Sequence, residues 1–249
     1  GRRAASGAIP QGRSMANCRF AIHALPNGEV DNLVILTRPE KTPRAAVRLN
    51  SEEENRQATV DAARFLDPAL PDHGFQKAVD ALPEGGGAVI LPEGRFVMRR
   101  HLHLRSNVTL RGQGAGKTVL VAAPIIRSDI VETWSAEGRH RVRLKDASGF
   151  RAGDAVCFGD AWGHPGSVGV AKARNMGVTV LGVAENVVTL SEPPAAGEKK
   201  LTRFFPLVFA RQAEYVEVKD LTLSADAEAK GQGRFMTNLV TFGSCYGSR

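Results

Sequence analysis

Four residues near the C-terminus, Asp220, Asp226, Lys230 and Arg234, bring carboxylates and cations into one short stretch. A base beside cations can take the proton next to a carboxylate and stabilise the charge left behind. Two carboxylates at a suitable separation can instead hydrolyse a glycosidic bond. None of the four belongs to a recognisable motif, and the plainer reading is a set of solvated turn residues. They are catalytic candidates by residue type only.

Trp162 stands in Trp162-Gly163-His164-Pro165. On an exposed loop its indole face would complement the C–H side of a pyranose ring, which makes it a substrate-binding candidate. The competing reading is a loop Trp that covers its own core. His101 and His103 alternate and could both be metal ligands, but no Asp, Glu or Cys is placed to complete a set, so no metal site is expected. Arg111 to Thr118 ends in Gly116-Lys117-Thr118, like a phosphate-binding loop. That loop needs an earlier Gly where Arg111 stands, and it must open a helix. Val119-Leu120-Val121 follows and reads as strand, so no nucleotide is expected.

The 249 residues carry a formal charge of +7, with Lys+Arg 33 against Asp+Glu 26. Such an excess can attract nucleic acid, anionic lipid or an acidic polysaccharide, but the plainer reading is an excess of solvated arginines, four of which crowd an N-terminal arm. Nucleic acid is not expected as a partner. No apolar run is long enough to span a bilayer. Cys18, Cys157 and Cys245 show neither metal-ligand spacing nor a disulfide framework. The chain opens at Gly1 with no charged-then-apolar leader, so no signal peptide is visible.

The elements that must position these residues are short. Residues 19–36 suggest a hairpin turning at Pro26-Asn27-Gly28. Ser51 and Glu54 fit a capping box for a helix to about Leu66. Phe75, Ala78, Val79 and Leu82 form one apolar stripe, with Asp72 as the expected cap and Gly85-Gly86-Gly87 as the stop. The period then switches to that of strands at 88–91, 96–98, 102–104, 108–110 and 118–121. Strands so short leave no crossover helices, which suits a meander, a barrel or a solenoid. Asn107 to Gly112 is loosely echoed at Tyr215 to Asp220, with a further short strand at 238–242. In that echo Val108, Leu110, Val216 and Val218 should point inward while Thr109 and Glu217 face solvent. Between lies a β-rich stretch marked by Val142 to Phe150, Gly153-Asp154-Ala155-Val156, and a strand pair, 178–183 and 187–190, turning at Glu185-Asn186.

The run Phe75 to Leu82, then Gly85-Gly86-Gly87-Ala88-Val89-Ile90-Leu91-Pro92-Glu93-Gly94-Arg95-Phe96, then Leu102 to Gly114, resembles the opening of pectate-lyase-like proteins. The match spans roughly 50 residues. It departs at Asp72-His73-Gly74, where the family has an acidic-acidic-threonine start, and at Phe96, where it has Tyr. The resemblance implies a mainly β fold: a right-handed parallel β-helix with an N-terminal capping helix and an inserted small β module. The expected division is 1–66 poorly defined, 67–127 capping helix and first coils, 128–206 the inserted module, and 207–249 continuing coils. It further implies a carbohydrate-active protein, either a polysaccharide lyase or a glycoside hydrolase acting on an acidic or plant-type glycan. The alternative is a non-catalytic, tailspike-like or adhesin-like glycan-binding surface protein. A polysaccharide partner, an extracellular or periplasmic location and a Ca2+ cofactor belong to the resemblance alone. On this reading the catalytic coils can lie beyond Arg249.

Overall fold

The computed structural model describes residues 19–24, 29–31, 58–159, 178–194, 197–203, 205–225 and 237–243. They open with strands β1 (Arg19–Ala24), β2 (Glu29–Asp31) and β3 (Thr59–Asp61), a 3-10 turn over Ala62–Phe65 and one helix, α1 (Phe75–Asp80). Five short strands follow: β4 (Gly87–Ile90), β5 (Gly94–Met98), β6 (Leu102–Leu104), β7 (Val108–Arg111) and β8 (Thr118–Ala122). Next come β9 (Ile126–Ala136), β10 (Arg139–Leu144), β11 (Ala155–Phe158), β12 (Val178–Ala184), β13 (Val187–Leu190) and β14 (Lys200–Arg203). The last are β15 (Val208–Arg211), β16 (Glu217–Lys219), β17 (Thr222–Ala225) and β18 (Thr237–Gly243).

Alternation along these strands selects what is buried. Leu102 and Leu104, Val108 and Leu110, and Val216 and Val218 all turn into one core, which also takes Phe75, Val89, Leu120, Val208 and Leu223. Three sheets of four strands enclose it, in the orders β16-β7-β4-β3, β2-β17-β8-β5 and β1-β18-β15-β6. The echo between 107–112 and 215–220 is a true register: Thr109, Leu110 and Arg111 pair in parallel with Glu217, Val218 and Lys219. Thr109 lies on the outer side and donates its hydroxyl to Glu217 at 3.3 Å.

The expected right-handed parallel β-helix is corrected by this topology. The parallel strands stand in separate small sheets, and β9 to β14 close an antiparallel six-stranded barrel, order β10-β13-β12-β11-β14-β9, rather than coils of a solenoid. Two of the small sheets are mixed, because β1 runs antiparallel to β18 and β2 antiparallel to β17. The physical reason is that a two-residue period sets which face is buried but carries no information about strand direction. The expected 19–36 hairpin is corrected as well, since β1 and β2 belong to different sheets. So is the helix to Leu66 over its described part. There β-branched Thr59 and Val60 pair with β4, and Asp61 turns the chain by accepting the Ala63 N–H at 2.9 Å. The Ser51–Glu54 capping box lies outside the described residues.

Helix α1 buries Phe75, Ala78 and Val79, and its surroundings satisfy edge strands through side chains. Gln76 accepts the His103 N–H at 2.8 Å and donates to the His103 carbonyl at 3.2 Å, which imitates a neighbouring strand on the outer side of β6. His73 Nε2 does the same for the Val97 carbonyl of β5 at 3.1 Å. Arg105 caps the other end of the helix segment, donating to the carbonyls of Leu82, Pro83 and Glu84. Asp72 acts just ahead of α1, accepting the Gly74 N–H at 3.2 Å, while Gly74 (φ 83) takes the N-cap position. Edge strands otherwise expose unpaired amides that invite other chains.

The barrel has its own core of Val142, Leu144, Phe150, Val156, Phe158, Val178, Val180, Val188, Leu190 and Leu201. Two-residue turns join its hairpins: Glu137-Gly138, with φ 55 and 70, and Glu185-Asn186, with Glu185 at φ 52. A fully buried carboxylate, Asp154, ties the barrel to the three-sheet body. Arg99 donates to both of its oxygens, at 2.6 and 2.7 Å, and the Arg151 N–H adds a third bond at 3.0 Å. Arg203 reaches Asp154 at 3.5 Å and donates to the carbonyls of Pro124 and Gly149. Burial, then the neighbouring Arg99 charge, lowers the Arg203 pKa to about 10. Among the described residues, no helix is long and apolar enough to cross a membrane.

Candidate functional site

Of the four catalytic candidates, only Asp220 lies among the described residues. It sits in a left-handed turn (φ 56) after β16, and its carboxylate accepts from Arg111 Nε at 2.8 Å. Asp226, Lys230, Arg234 and Trp162 lie outside the described residues, as do His164, Cys18 and Cys245. Cys157 is buried in β11. His101 and His103 both lie against the ring of Phe209, with centroids 5.7 and 5.5 Å away. Desolvation first, then the charges of Arg100 and His103, lowers the His101 pKa to about 4. Among the described residues, no group of three or more His, Cys, Asp or Glu is placed to hold a metal ion.

Gly116 and Lys117 end the turn between β7 and β8, and Thr118 opens β8 rather than a helix. Lys117 pairs with Glu93 at 2.9 Å, and Thr118 donates to the Pro92 carbonyl. Gly112 is required for contact with protein, because a Cβ there would stand 2.3 Å from the Asp220 carbonyl oxygen.

The surface with the most chemistry is the outside of the barrel. In β10, Val142 and Leu144 point inward, so Arg139, Arg141 and Arg143 all point outward. Their partners complete two rows across four strands. One row runs Trp134, Arg141, Thr189 and Gly182; the other runs Glu132, Arg143, Val187 and Ala184. At the strand spacing of a sheet each row crosses about 14 Å. The Arg143 guanidinium lies 5.7 Å from the Trp134 ring centroid, within cation–π range. Gly182 leaves the end of its row open, since a Cβ there would meet nothing within 4 Å.

Two β-bulges border this face. The pairing skips Val131 between Glu132 and Ile130, and it skips Leu181 between Val180 and Gly182. A bulge pushes its extra residue out of the ladder, and Val131 and Leu181 are accordingly 64% and 54% exposed. Apolar side chains, a half-buried indole and a line of guanidiniums therefore share one surface. Among the described residues, Trp134 is the indole placed beside polar groups. Arg139-His140-Arg141-Val142-Arg143 carried the signal, because alternate cations must share a strand face. The adjacent apolar pairs Ile130-Val131 and Val180-Leu181 marked the bulges.

No family model matches this chain, and no curated protein is similar to it. The resemblance to pectate-lyase-like proteins thus finds no family match. Among solved structures, the tailspike gp61 of Pseudomonas phage phi297 aligns over 60% of this chain and 30% of its own, at 14% identity and a TM-score of 0.23. The Gp54 tailspike of Acinetobacter baumannii bacteriophage AP22, in complex with A. baumannii capsular saccharide, aligns over 66% of this chain and 34% of its own, at 12% identity and the same TM-score of 0.23. The chain spans about a third of either tailspike, and no shared fold follows from so low a score. This chain is weakly similar to these two phage tailspikes.

Proposed function

We propose that this protein is a non-catalytic, glycan-binding β protein that holds a polysaccharide on the outer face of its barrel. The observation that carries the reading is Trp134, set in a row with Arg141 and Thr189 and beneath Arg143. An indole offers a broad apolar face for the C–H side of a sugar ring, at little cost in side-chain entropy. Guanidinium N–H groups and the Thr189 hydroxyl can bond the ring oxygens around it. Exposed Val131 and Leu181 extend the apolar surface on either side. Binding is favoured over catalysis because Asp220, the one described catalytic candidate, already has its carboxylate paired with Arg111. A ligand of this class is met outside the cytoplasm, which agrees with an extracellular or periplasmic setting.

The test is calorimetric titration of the full chain with pectin, alginate and glycosaminoglycan, alongside assays for new reducing ends and unsaturated products. Binding without product is expected, and Trp134→Ala should weaken it by about tenfold, or 1.4 kcal/mol, at unchanged melting temperature. Product release, or a Trp134→Ala variant that binds like the parent, would overturn the reading.

A further inference from the structure

We propose that the ligand of this face is an oxyanion-bearing glycan, whose carboxylate or sulfate groups displace Glu132 and Glu137 from Arg143 and Arg141. The inference rests on the glycan-binding reading and adds what the face selects. Arg139, Arg141 and Arg143 alternate along β10 and so stand about 7 Å apart on one side. Two of them already hold a carboxylate. Arg143 Nε meets Glu132 at 3.3 Å, and an Arg141 terminal nitrogen meets Glu137 at 3.3 Å.

Both pairs are loose. A well-made guanidinium–carboxylate bond is about 2.7–2.9 Å, as in the terminal nitrogen of Arg99 on Asp154 at 2.7 Å within this protein. The glutamate side chains are 59% and 82% exposed, and such pairs are individually weak. They therefore occupy the arginines without fixing them. An incoming carboxylate or sulfate on a sugar seated over Trp134 can take the same N–H groups in a two-pronged bond, while the glutamates return to water at small cost. The contact with Trp134 restrains the Arg143 guanidinium over the indole and leaves its N–H edge for the ligand. A neutral sugar would gain the indole but would have to leave the arginines with their glutamates.

A glycan is favoured over nucleic acid because, among the described residues, the face has one indole, Trp134, and two carboxylates among its arginines. Nonspecific strand binding instead uses repeated aromatic platforms in a continuously basic groove. The experiment compares polygalacturonate with its methyl ester, which keeps the backbone and removes the charge. Dextran sulfate against dextran separates sulfate from carboxylate recognition, and single-stranded DNA serves as competitor. The acid polymer should bind about tenfold tighter than the ester, a preference that fades as salt rises. Arg141→Gln and Arg143→Gln should abolish the preference, while Arg141→Lys, which keeps charge but loses the fork, should restore part of it. The double variant Glu132→Gln/Glu137→Gln should bind the acid polymer about threefold tighter and leave the ester unchanged.

Equal binding of acid and ester, with Trp134 still required, would overturn this inference and leave the glycan-binding reading standing. Absence of binding to every polysaccharide would defeat both. Glutamine variants that bind the acid polymer no better than the parent would also overturn the displacement. Displacement by DNA at matched charge would reassign the face to nucleic acid.

Discussion

Asp154 is fully buried and His101 is half-buried with its Nδ1 turned away from water, and they differ in what surrounds them. Asp154 meets two guanidiniums and a backbone N–H, whereas His101 Nδ1 is buried with no hydrogen-bond partner among the described residues. Asp154→Ala would leave Arg203 buried without a counter-charge, a loss of about 3–5 kcal/mol by the usual cost of breaking a buried pair. Urea unfolding of the full chain measures it. A loss within about 1 kcal/mol would mean that the pair is not what joins the barrel to the body. His101 predicts a pH dependence of definite sign. Its folded pKa of about 4 lies below the ordinary value of 6.5, so the unfolded chain takes up the proton first as pH falls. Its contribution is complete above pH 6.5 and is lost progressively toward pH 4, up to about 3 kcal/mol. In His101→Phe the part of the acid destabilisation between those pH values should vanish, which stability curves at pH 4.5 and 7 compare directly.

Turns and bulges decide which elements can approach and what they present. The stretch from Gly112 to Thr118 looks like a phosphate loop in one dimension, but the close approach of Gly112 to the Asp220 carbonyl gives its glycine a packing role. Gly112→Ala should therefore destabilise by more than about 1 kcal/mol, since carbonyl and Cβ cannot both stay where they are. Lys117→Ala should cost under about 0.5 kcal/mol, because its pair with Glu93 is exposed on both sides. Denaturant midpoints of the two variants test the contrast, and equal losses would contradict it. The strands from β4 to β8 were legible within a residue or two, because inward Leu102, Leu104, Val108 and Leu110 alternate cleanly between turn residues. The spacing of Ala58, Ala62, Ala63 and Leu66 suits a helix, yet Thr59 to Asp61 pair with β4 and only Ala62–Phe65 coils, as a 3-10 turn.

Across the whole molecule, the far edges of two sheets are closed by strands from the opposite end of the chain. β1 lies along β18 and β2 along β17, both antiparallel. Removing residues 1–31 should open both edges, and the shortened chain should associate at concentrations where the full chain does not. Light scattering on a sizing column reads this, and an unchanged mass would show that the edges need no cover. The candidate site illustrates the same division between near and far. Arg139, Arg141 and Arg143 share a face by local periodicity, which a single strand already guarantees. Trp134 comes beside Arg141 through the local β9–β10 hairpin, whereas Thr189 and its hairpin neighbour Gly182 join the row only because β10 pairs with β13, dozens of positions along the chain.

The sequence by itself determined the mainly β character, the positions of the short strands, their inward faces and the inward-outward alternation at 108–110 and 216–218. All of these follow from side-chain period and turn chemistry, which act within a few residues. Only the tertiary structure decided that β9 to β14 close into an antiparallel barrel, that β1 and β2 reverse direction against their neighbours, and that Asp154 meets Arg99 and Arg203. Strand direction and long-range ion pairs depend on which distant edges and charges meet, and no local period along the chain encodes that.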